Sequence, residues 1–119
     1  MSTKLLGKWG EALAVEYLRK KRYKILGVNY YTRFGEIDII AEKRGIIAFV
    51  EVKLRKNANF AAAREFVSNA KCQKIKTCAE IWLSQNSTKA QPRLDVIEIY
   101  APDGMNGKSY IEHIENAFT

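Results

Sequence analysis

The 119-residue sequence has few of the residues that build several common kinds of site. Its single histidine, His113, and its two cysteines, Cys72 and Cys78, exclude a zinc site with the usual cysteine and histidine spacing. The cysteines lie six residues apart in a helical pattern, where a mutual disulfide is not expected. The sequence also lacks a run of about 18 apolar residues, the length that spans a membrane, and an apolar N-terminal signal segment. We therefore expect a cytoplasmic protein with reduced thiols and no membrane segment, in which His113 is structural or exposed.

Acidic residues are outnumbered by basic ones, 13 against 20, which gives a formal net charge of +7. This excess favours a polyanionic partner, because binding releases the counterions that a polyanion has condensed. The charge alone distinguishes neither DNA from RNA nor a nucleic acid from an anionic membrane surface. The length suits one domain over residues 1–119, and the 47% hydrophobic content is enough for a core.

Near the middle of the chain, two runs rich in Ile and Val flank a short polar stretch. This pattern predicts a β-hairpin with a two-residue turn at Arg44–Gly45. Counting outward from that turn places Asp38 opposite Glu51. The same count places Glu36 opposite Lys53. Because side chains two residues apart share a face of a strand, all four charged groups are expected to converge on one patch.

The two opposed carboxylates require a compensating positive charge. Carboxylates that face each other across a strand pair repel, because their Cβ atoms lie roughly 5 Å apart. The same face is predicted to be core toward the turn, with Ile40, Ile47 and Phe49 there. Partial burial makes an uncompensated carboxylate costly, and Mg²⁺ takes one or two carboxylates together with waters and substrate phosphate. We predict that Asp38 and Glu51 bind Mg²⁺ or Mn²⁺ beside Lys53; the alternative is a strand pair whose charges face water.

Hydrophobic periodicity predicts the other elements of the chain. A helix is expected over residues 3–22 and a strand over 23–32, with a bulge at Gly27. A second helix is expected to have Ile75, Cys78, Ala79 and Trp82 on its apolar face. Two further strands are expected over 93–100 and 110–114, the last at an edge of the sheet. Residues 60–66 are expected to form a loop or a short helix. This order indicates an α/β fold with a mixed central sheet flanked by helices.

Five side chains outside the hairpin have both a structural and a functional interpretation. Glu11 is either a solvated helix residue or a carboxylate of the site. Lys71 and Lys74 of the second helix either contact phosphate groups or form a solvated basic face. Tyr30 and Tyr31 can stack on bases, but aromatic residues of strands more often pack, and we expect packing here.

The chain resembles a known family along almost its whole length. An Asp followed, after twelve intervening residues, by Glu-x-Lys matches the PD-(D/E)xK nucleases. The sequence is similar to the small bacterial YraN-type family, also called UPF0102. The shared segments are Gly7-x-x-Gly10-Glu11, Gly35-Glu36-Ile37-Asp38, Phe49-Val50-Glu51-Val52-Lys53-x-Arg55, Arg93-x-Asp95-Val96 and His113-Ile114-x-Asn116-Ala117-Phe118. The family is similar to archaeal Holliday junction resolvases, which implies a restriction-endonuclease-like fold.

This resemblance also implies an activity and a set of site residues. The activity would be metal-dependent hydrolysis of phosphodiester bonds in DNA, and the resolvase likeness suggests a homodimer. Because contacts to the DNA backbone carry little base-specific information, we expect selection of branched, flapped or junction structures and not of sequence. Asp38, Glu51 and the Val52 carbonyl would bind the metal, and Lys53 would orient or activate the attacking water. Glu36 and Glu11 would support a second cation or position the first. The nucleic-acid contacts would come from Arg33, Arg55, Lys71 and Lys74.

Two features keep a second hypothesis open. The chain has Tyr31 where a basic residue is common in the family, so one phosphate contact is in doubt. A fold is also shared by proteins with different functions. The alternative is a non-catalytic nucleic-acid-binding module that retains the nuclease fold and its basic surface, with RNA not excluded as the ligand.

Overall fold

The computed structural model of the protein describes residues 3–56 and 69–117. In chain order its elements are α1 (Thr3–Lys20), β1 (Lys24–Thr32), β2 (Gly35–Lys43), β3 (Ile46–Arg55), α2 (Asn69–Gln85), β4 (Gln91–Tyr100), a short 3-10 helix (Gly104–Asn106) and β5 (Tyr110–Ile114). The loop or helix expected at residues 60–66 lies outside the described residues, as does Phe118. The predicted α/β class, with a mixed sheet flanked by helices, is confirmed.

The five described strands form a sheet in the order β1-β2-β3-β4-β5. Neighbouring strands are antiparallel, except that β3 and β4 are parallel. A parallel pair requires a crossover connection, and α2 lies between these two strands in the chain. β5 lies at an edge of the sheet, as predicted, and β1 lies at the opposite edge.

The β2–β3 hairpin has the predicted turn and register. Lys43 pairs with Ile46, and the pairing continues to Ile39 and Val50. Both residues of the Arg44–Gly45 turn have positive φ, 48° and 78°, as a type I′ turn requires. This two-residue turn therefore determines which side chains of the two strands lie opposite each other.

Each helix packs its apolar side against one face of the sheet. From α1, Ala14 and Leu18 join a core cluster with Ile39, Val50 and Ile97. From α2, the predicted apolar side is buried against the other face, with Ile75, Cys78 and Ala79 buried and Trp82 packed beside them. Within residues 3–56 and 69–117, no helix is long and apolar enough to cross a membrane.

The first helix ends at Lys20, two residues earlier than predicted. Arg22 has a φ of 74°, which is left-handed and incompatible with a continuing helix. The N–H of Tyr23 donates to the carbonyl of Leu18 at 2.9 Å, and the N–H of Arg22 donates to that of Arg19 at 3.0 Å. These two bonds form a Schellman motif, which satisfies helix carbonyls and turns the chain into β1.

β1 has two irregular positions. The predicted bulge at Gly27 is confirmed by a shift in register between Ile25 and Gly27. A second irregularity was not predicted: Asn29 has a φ of 54°, in the left-handed region that Asn tolerates better than most residues. The register between β1 and β2 places Asn29 opposite Asp38. The sheet is therefore distorted next to one of the predicted site residues.

Side-chain alternation in β2 breaks at the same point. Ile37 and Ile40 pack in one cluster beside α2, whereas Ile39 packs in the cluster beside α1. In a regular strand Ile37 and Ile39 would share a face. The strict alternation therefore fails at Ile37, whereas Asp38 lines a cavity with residues of α2, on the side of Ile40, as predicted. Its carboxylate accepts a hydrogen bond from the backbone of β3.

A buried ionic cluster joins β4, β5 and the chain that follows β5. Asp95 is fully buried, and its two carboxylate oxygens accept hydrogen bonds from Nε and Nη2 of Arg93 at 2.8 and 2.9 Å. The backbone N–H of Asn116 donates to the same carboxylate at 3.0 Å, and Nε2 of His113 lies 2.7 Å from Oδ2. Arg93 also donates to the hydroxyl of Tyr23 at 2.7 Å. His113 therefore has a structural role, one of the two that the sequence left open.

Candidate metal centre

The candidate site lies where β2 and β3 separate. Among the described strand pairs, the β2–β3 ladder ends at Ile39 and Val50, although β3 continues beside β4 to Arg55. Asp38 is the next residue of β2, and its Oδ2 accepts a hydrogen bond of 2.8 Å from the N–H of Val52. The carboxylate thus takes the place of a ladder bond. Because the N–H and C=O of one strand residue point to the same side, the Val52 carbonyl also faces this gap.

Two nearly buried carboxylates line a cavity of about 300 Å³ at this point. Asp38 is 8% exposed and Glu51 is 6% exposed. The remaining lining residues include Gly35, Glu36, Lys71, Lys74 and Ile75. The structure therefore brings together the predicted carboxylates of the hairpin and both predicted lysines of α2.

Two lysines lie at the same oxygen of Glu51. Nζ of Lys71 is 2.6 Å from Oε1, and Nζ of Lys53 is 3.4 Å from it. Burial and the hydrogen bond with Lys71 lower the pKa of Lys53, although the charge of Glu51 opposes this. Burial also acts to lower the pKa of Lys71, but the hydrogen bond and the charge of Glu51 outweigh it and raise that pKa. Lys71 thus remains partly exposed to solvent, at 42%, while its ammonium binds Glu51.

Asp38 has less compensation than Glu51. Burial, and then the negative charge of Glu51, raise the pKa of Asp38 to about 7, although the hydrogen bond from Val52 acts in the opposite direction. The charges of Glu11 and Glu36 add to the rise. The centre therefore has an excess of negative charge at Asp38, which a cation would relieve.

The donors at this centre fit a hydrated divalent cation. Within residues 3–56 and 69–117, no group of three or more His, Cys, Asp or Glu side chains is placed to hold a metal. Mg²⁺ does not need such a group, because it keeps several waters and takes one or two carboxylates. Asp38 and Glu51 provide two carboxylates, and the Val52 carbonyl faces the same gap. A cation bound to Oε1 of Glu51 would take the position that Lys71 occupies.

The other predicted residues lie around this centre. Glu11 does not line the cavity of Asp38 and Glu51; it lines a groove between α1 and β1, and its charge acts on Asp38 from there. Arg33 lies in the exposed turn between β1 and β2. Nε of Arg55, at the end of β3, is 3.9 Å from Glu98. The site is therefore a compact pair of carboxylates with basic groups at its margin.

Glu98 is a residue of this region that sequence reasoning missed. It is 1% exposed and pairs in register with Lys53, so the two side chains lie on the same face of neighbouring strands. The hydroxyl of Tyr100 donates to its carboxylate at 2.9 Å. In the sequence, Glu98 lies among apolar residues of β4, a pattern that predicts a polar side chain facing solvent and not a buried one. Only the parallel register of β3 and β4 reveals its place.

The two tyrosines of β1 have different environments. Tyr30 packs against the α2 side of the core, and its hydroxyl donates to Gln85 at 2.9 Å. Tyr31 is 71% exposed. The expectation of packing is thus confirmed for Tyr30 and wrong for Tyr31.

Comparison with known proteins identifies the family. Residues 10–99 match the model of a family described as uncharacterised protein family UPF0102. The chain belongs to the UPF0102 family. A UPF0102 protein of Syntrophomonas wolfei is 45% identical over 119 residues, covering 95% of this chain and 96% of the relative. A UPF0102 protein of Caldanaerobacter subterraneus is 42% identical, covering 99% of this chain and 98% of the relative. One of Thermodesulfovibrio yellowstonii is 46% identical, covering 95% of each.

Membership of the UPF0102 family confirms the resemblance inferred from the sequence motifs. The residues matched by the UPF0102 model run from 10 to 99 and include every predicted catalytic, metal-binding and nucleic-acid-binding position, from Glu11 to Lys74. They also include Asn29 and Glu98, which the sequence did not single out. The relatives are covered over nearly their full lengths, so the likeness extends to the whole of those UPF0102 proteins.

The raised pKa of Asp38 gives a stability prediction. Above pH 7 the folded protein carries a buried carboxylate that the unfolded chain ionises near pH 4, so folding loses stability as pH rises between roughly 4 and 7. Asp38→Asn removes this penalty and retains an oxygen that accepts the Val52 hydrogen bond. We expect the variant to unfold at higher urea concentration at pH 8, with a gain of roughly 1 to 4 kcal/mol, and the gain to shrink toward pH 4. A gain that does not change with pH would contradict this explanation.

Proposed function

We propose that this protein is a metal-dependent endonuclease that hydrolyses phosphodiester bonds in DNA. The observation that carries the proposal is the buried pair of Asp38 and Glu51 at the separation of two strands, with Lys53 and Lys71 at the same carboxylate. Charged, nearly buried groups whose pKa is shifted, as that of Asp38 is, are typical of a functional centre. The net charge of +7 suits a polyanionic substrate.

Four residues act at the reacting phosphate in this proposal. Asp38 and Glu51, with the Val52 carbonyl, would hold a Mg²⁺ or Mn²⁺ ion. Such an ion would lower the pKa of a water and neutralise charge on the phosphate oxygens. The hydrogen bond from the Val52 N–H fixes one oxygen of Asp38 and leaves the other to face the cavity. Lys53, held next to Glu51, orients the attacking water or stabilises the charge that develops on the phosphate.

Residues around the centre support the ion and the substrate backbone. Glu36 lines the cavity and Glu11 acts by its charge, so each supports a second cation or positions the first. With an ion at Glu51, Lys71 would contact a phosphate instead of that carboxylate. Lys74 and the arginines Arg33 and Arg55 hold the sugar-phosphate backbone. Backbone contacts carry no direct base information, which favours selection by DNA structure, such as a branch, flap or junction.

Symmetric cutting of two strands needs two centres. We therefore propose that two copies of the chain act together on branched DNA. Light scattering of the protein with and without a four-way junction would show two protein chains on each junction under this proposal. One chain on each junction would contradict it.

Lys74 offers a test of the backbone contacts. Its Cβ would remain in Lys74→Ala and would still pack against Gly35 of the β1–β2 turn. We expect the variant to bind duplex and flapped DNA more weakly by a similar factor, and its slope of log affinity against log salt to fall by about one. Lys89→Ala, which removes an exposed lysine of the α2–β4 loop, is the matched control and should leave the slope unchanged.

The activity itself is tested by incubating the protein with labelled duplex, single-stranded, flapped and four-way-junction DNA, and with the matching RNAs. Each substrate is tested with Mg²⁺, with Mn²⁺ and with EDTA. Cutting of at least one DNA substrate that requires the metal and stops in EDTA is the expected result. Binding of all substrates without cutting under any condition would instead support a non-catalytic module.

One observation favours that second candidate function. Lys71 already neutralises Glu51 at 2.6 Å, so half of the carboxylate pair is compensated without a metal. A nucleic-acid-binding module built on this fold would bind in a salt-dependent manner, with the same affinity in Mg²⁺ and in EDTA. Its binding would also be indifferent to Asp38→Ala.

A further inference from the structure

The turn between β1 and β2 presents an aromatic ring and a cation to solvent. Phe34 retains 43% of its surface exposed, although burying a Phe side chain is favourable. The guanidinium of Arg33 lies over the ring, 4.7 Å from its centroid, which is within cation–π range. Within the part of the chain that the structure describes, Arg33 forms no salt bridge. An exposed ring therefore lies beside a cation that has no acidic partner among the described residues.

Hydrogen bonds and close packing hold this turn in place. The hydroxyl of Thr32 accepts a hydrogen bond of 3.0 Å from the N–H of Phe34 and donates one of 3.2 Å to the carbonyl of Gly35. The same hydroxyl lies 3.1 Å from Sγ of Cys78 on α2. Gly35 has a φ of 143°, and a Cβ there would lie 3.5 Å from the Cβ of Lys74. The backbone that carries Phe34 is therefore already ordered. A ligand that binds the ring loses little binding free energy to ordering this turn.

The exposed ring lies in a groove that adjoins the candidate metal centre. This groove, of about 580 Å³, is lined by Arg33, Phe34, Gln73, Lys74 and Thr77 among others. Gly35 and Lys74 line both the groove and the cavity of the carboxylates. Phe34 and Asp38 are four residues apart along the chain, roughly 13 Å if extended. A strand whose phosphate lies at the carboxylates would therefore reach the ring within a few nucleotides.

We propose that Phe34 and Arg33 form a stacking platform for an unpaired nucleobase next to the scissile phosphate. This inference rests on the proposed function, and it specifies the substrate as nucleic acid with unpaired nucleotides beside the site of attack. Aromatic rings and guanidinium planes accept any base by stacking, so the platform carries no sequence preference. Lys74, at the junction of groove and cavity, holds the phosphate between the base and the centre.

Fully paired DNA cannot use this platform. In a duplex each base is already stacked between its neighbours, and extruding one has an energetic cost that an unpaired base does not have. A flap, a fork or a single strand presents its bases without that cost. The platform thus adds a physical basis for preferring branched or flapped DNA to the one that the backbone contacts give.

The test compares Phe34→Ala with the unmodified protein on two labelled DNAs, a flapped duplex with 2-aminopurine in the flap and a fully paired duplex. EDTA prevents cleavage during both titrations. We expect Phe34→Ala to bind the flapped DNA roughly 5- to 100-fold more weakly and the paired duplex within about 2-fold of the unmodified protein. The 2-aminopurine fluorescence, which stacking quenches, should fall on binding to the unmodified protein and not on binding to the variant.

Two further variants control the test. Phe34→Trp preserves a ring and should restore both the affinity and the quenching. Tyr110→Ala removes a more exposed ring, 66% against 43% for Phe34, from the opposite edge of the sheet and should change neither. The inference is overturned if Phe34→Ala binds flapped DNA as the unmodified protein does, or if it weakens binding to both DNAs equally. Failure of the unmodified protein to bind either DNA would overturn the proposed function together with this inference.

Discussion

Asp38→Asn is expected to reduce metal-dependent cleavage by roughly a factor of a thousand or more while leaving the protein folded. The substitution removes the negative charge that attracts the cation but retains an oxygen for the Val52 hydrogen bond. The strand separation at this point should therefore persist, and only the electrostatics of the centre change. Single-turnover cleavage rates at saturating protein measure the effect, and thermal unfolding confirms that the variant is folded.

A matched substitution on the same strand shows whether the effect is specific to Asp38 or follows from the loss of any negative charge on β2. Glu42 lies near the hairpin turn at the other end of β2, away from the cavity of the carboxylates. Glu42→Gln should cleave at a rate within about 2-fold of the unmodified protein, a small change of the size usual for sites away from the reaction. DNA binding by Asp38→Asn in EDTA should be undiminished, because the removed charge repels phosphate. Cleavage by Asp38→Asn within 10-fold of the unmodified rate would rule out a central role for this carboxylate.

Asp95→Ala is expected to destabilise the fold by about 3 to 5 kcal/mol. Asp95 is fully buried and accepts hydrogen bonds from Arg93 and from the backbone of Asn116. Its removal leaves the guanidinium of Arg93 without its main partner in a largely buried position, and His113 loses the contact to Oδ2. Urea denaturation at pH 7 measures the loss. A loss below about 1 kcal/mol would contradict this assignment.

The pH dependence of the same cluster has a defined sign. Burial acts to raise the pKa of Asp95, but the hydrogen bonds from His113, Arg93 and Asn116 outweigh it and lower the pKa below its usual range. A lowered folded-state pKa contributes stability that is fully present above the unfolded value, about 4, and is lost as pH falls through the folded value. The stability of Asp95→Asn should therefore fall less steeply on acidification below about pH 4 than that of the unmodified protein.

The exposed partner of Arg93 serves as the control for this cluster. Glu115 lies 3.4 Å from Nη2 of Arg93, and its side chain is mostly exposed. Glu115→Gln should lower the free energy of unfolding by less than about 1 kcal/mol, because solvent screens an exposed ion pair.

Since Asp95 faces α1 and the carboxylate cavity faces α2, the folded fraction of Asp95→Ala should retain cleavage activity.

The hairpin at the centre of the site could be predicted because its determinants are local. A two-residue turn and the alternation of apolar residues set the pairing of β2 with β3, and the register observed from the turn to Ile39 and Val50 is the predicted one. The same local rules located the bulge at Gly27 and the apolar side of α2. These are features in which neighbouring residues decide the conformation.

The remainder of the site depends on contacts between distant parts of the chain. The ion pair of Lys71 with Glu51 joins residues twenty positions apart, and no periodicity encodes it. Glu98 reaches the site only through the parallel register of β3 and β4, which follows from a crossover and not from a turn. The left-handed backbone at Asn29 distorts β1 opposite Asp38, and a single Asn in a strand pattern gives no distinct signal for it.

The central claim, that Asp38 and Glu51 hold a divalent cation, is tested most directly by titrating Mn²⁺ into isotopically labelled protein and recording amide NMR spectra. Paramagnetic broadening falls steeply with distance, so it locates the ion without reference to activity. We predict that substoichiometric Mn²⁺ broadens the amides of residues 36–38 and 50–53 first, that Mg²⁺ competes for the site, and that Asp38→Asn abolishes this selectivity. Broadening that begins elsewhere in the chain, or that is the same in Asp38→Asn, would contradict the account.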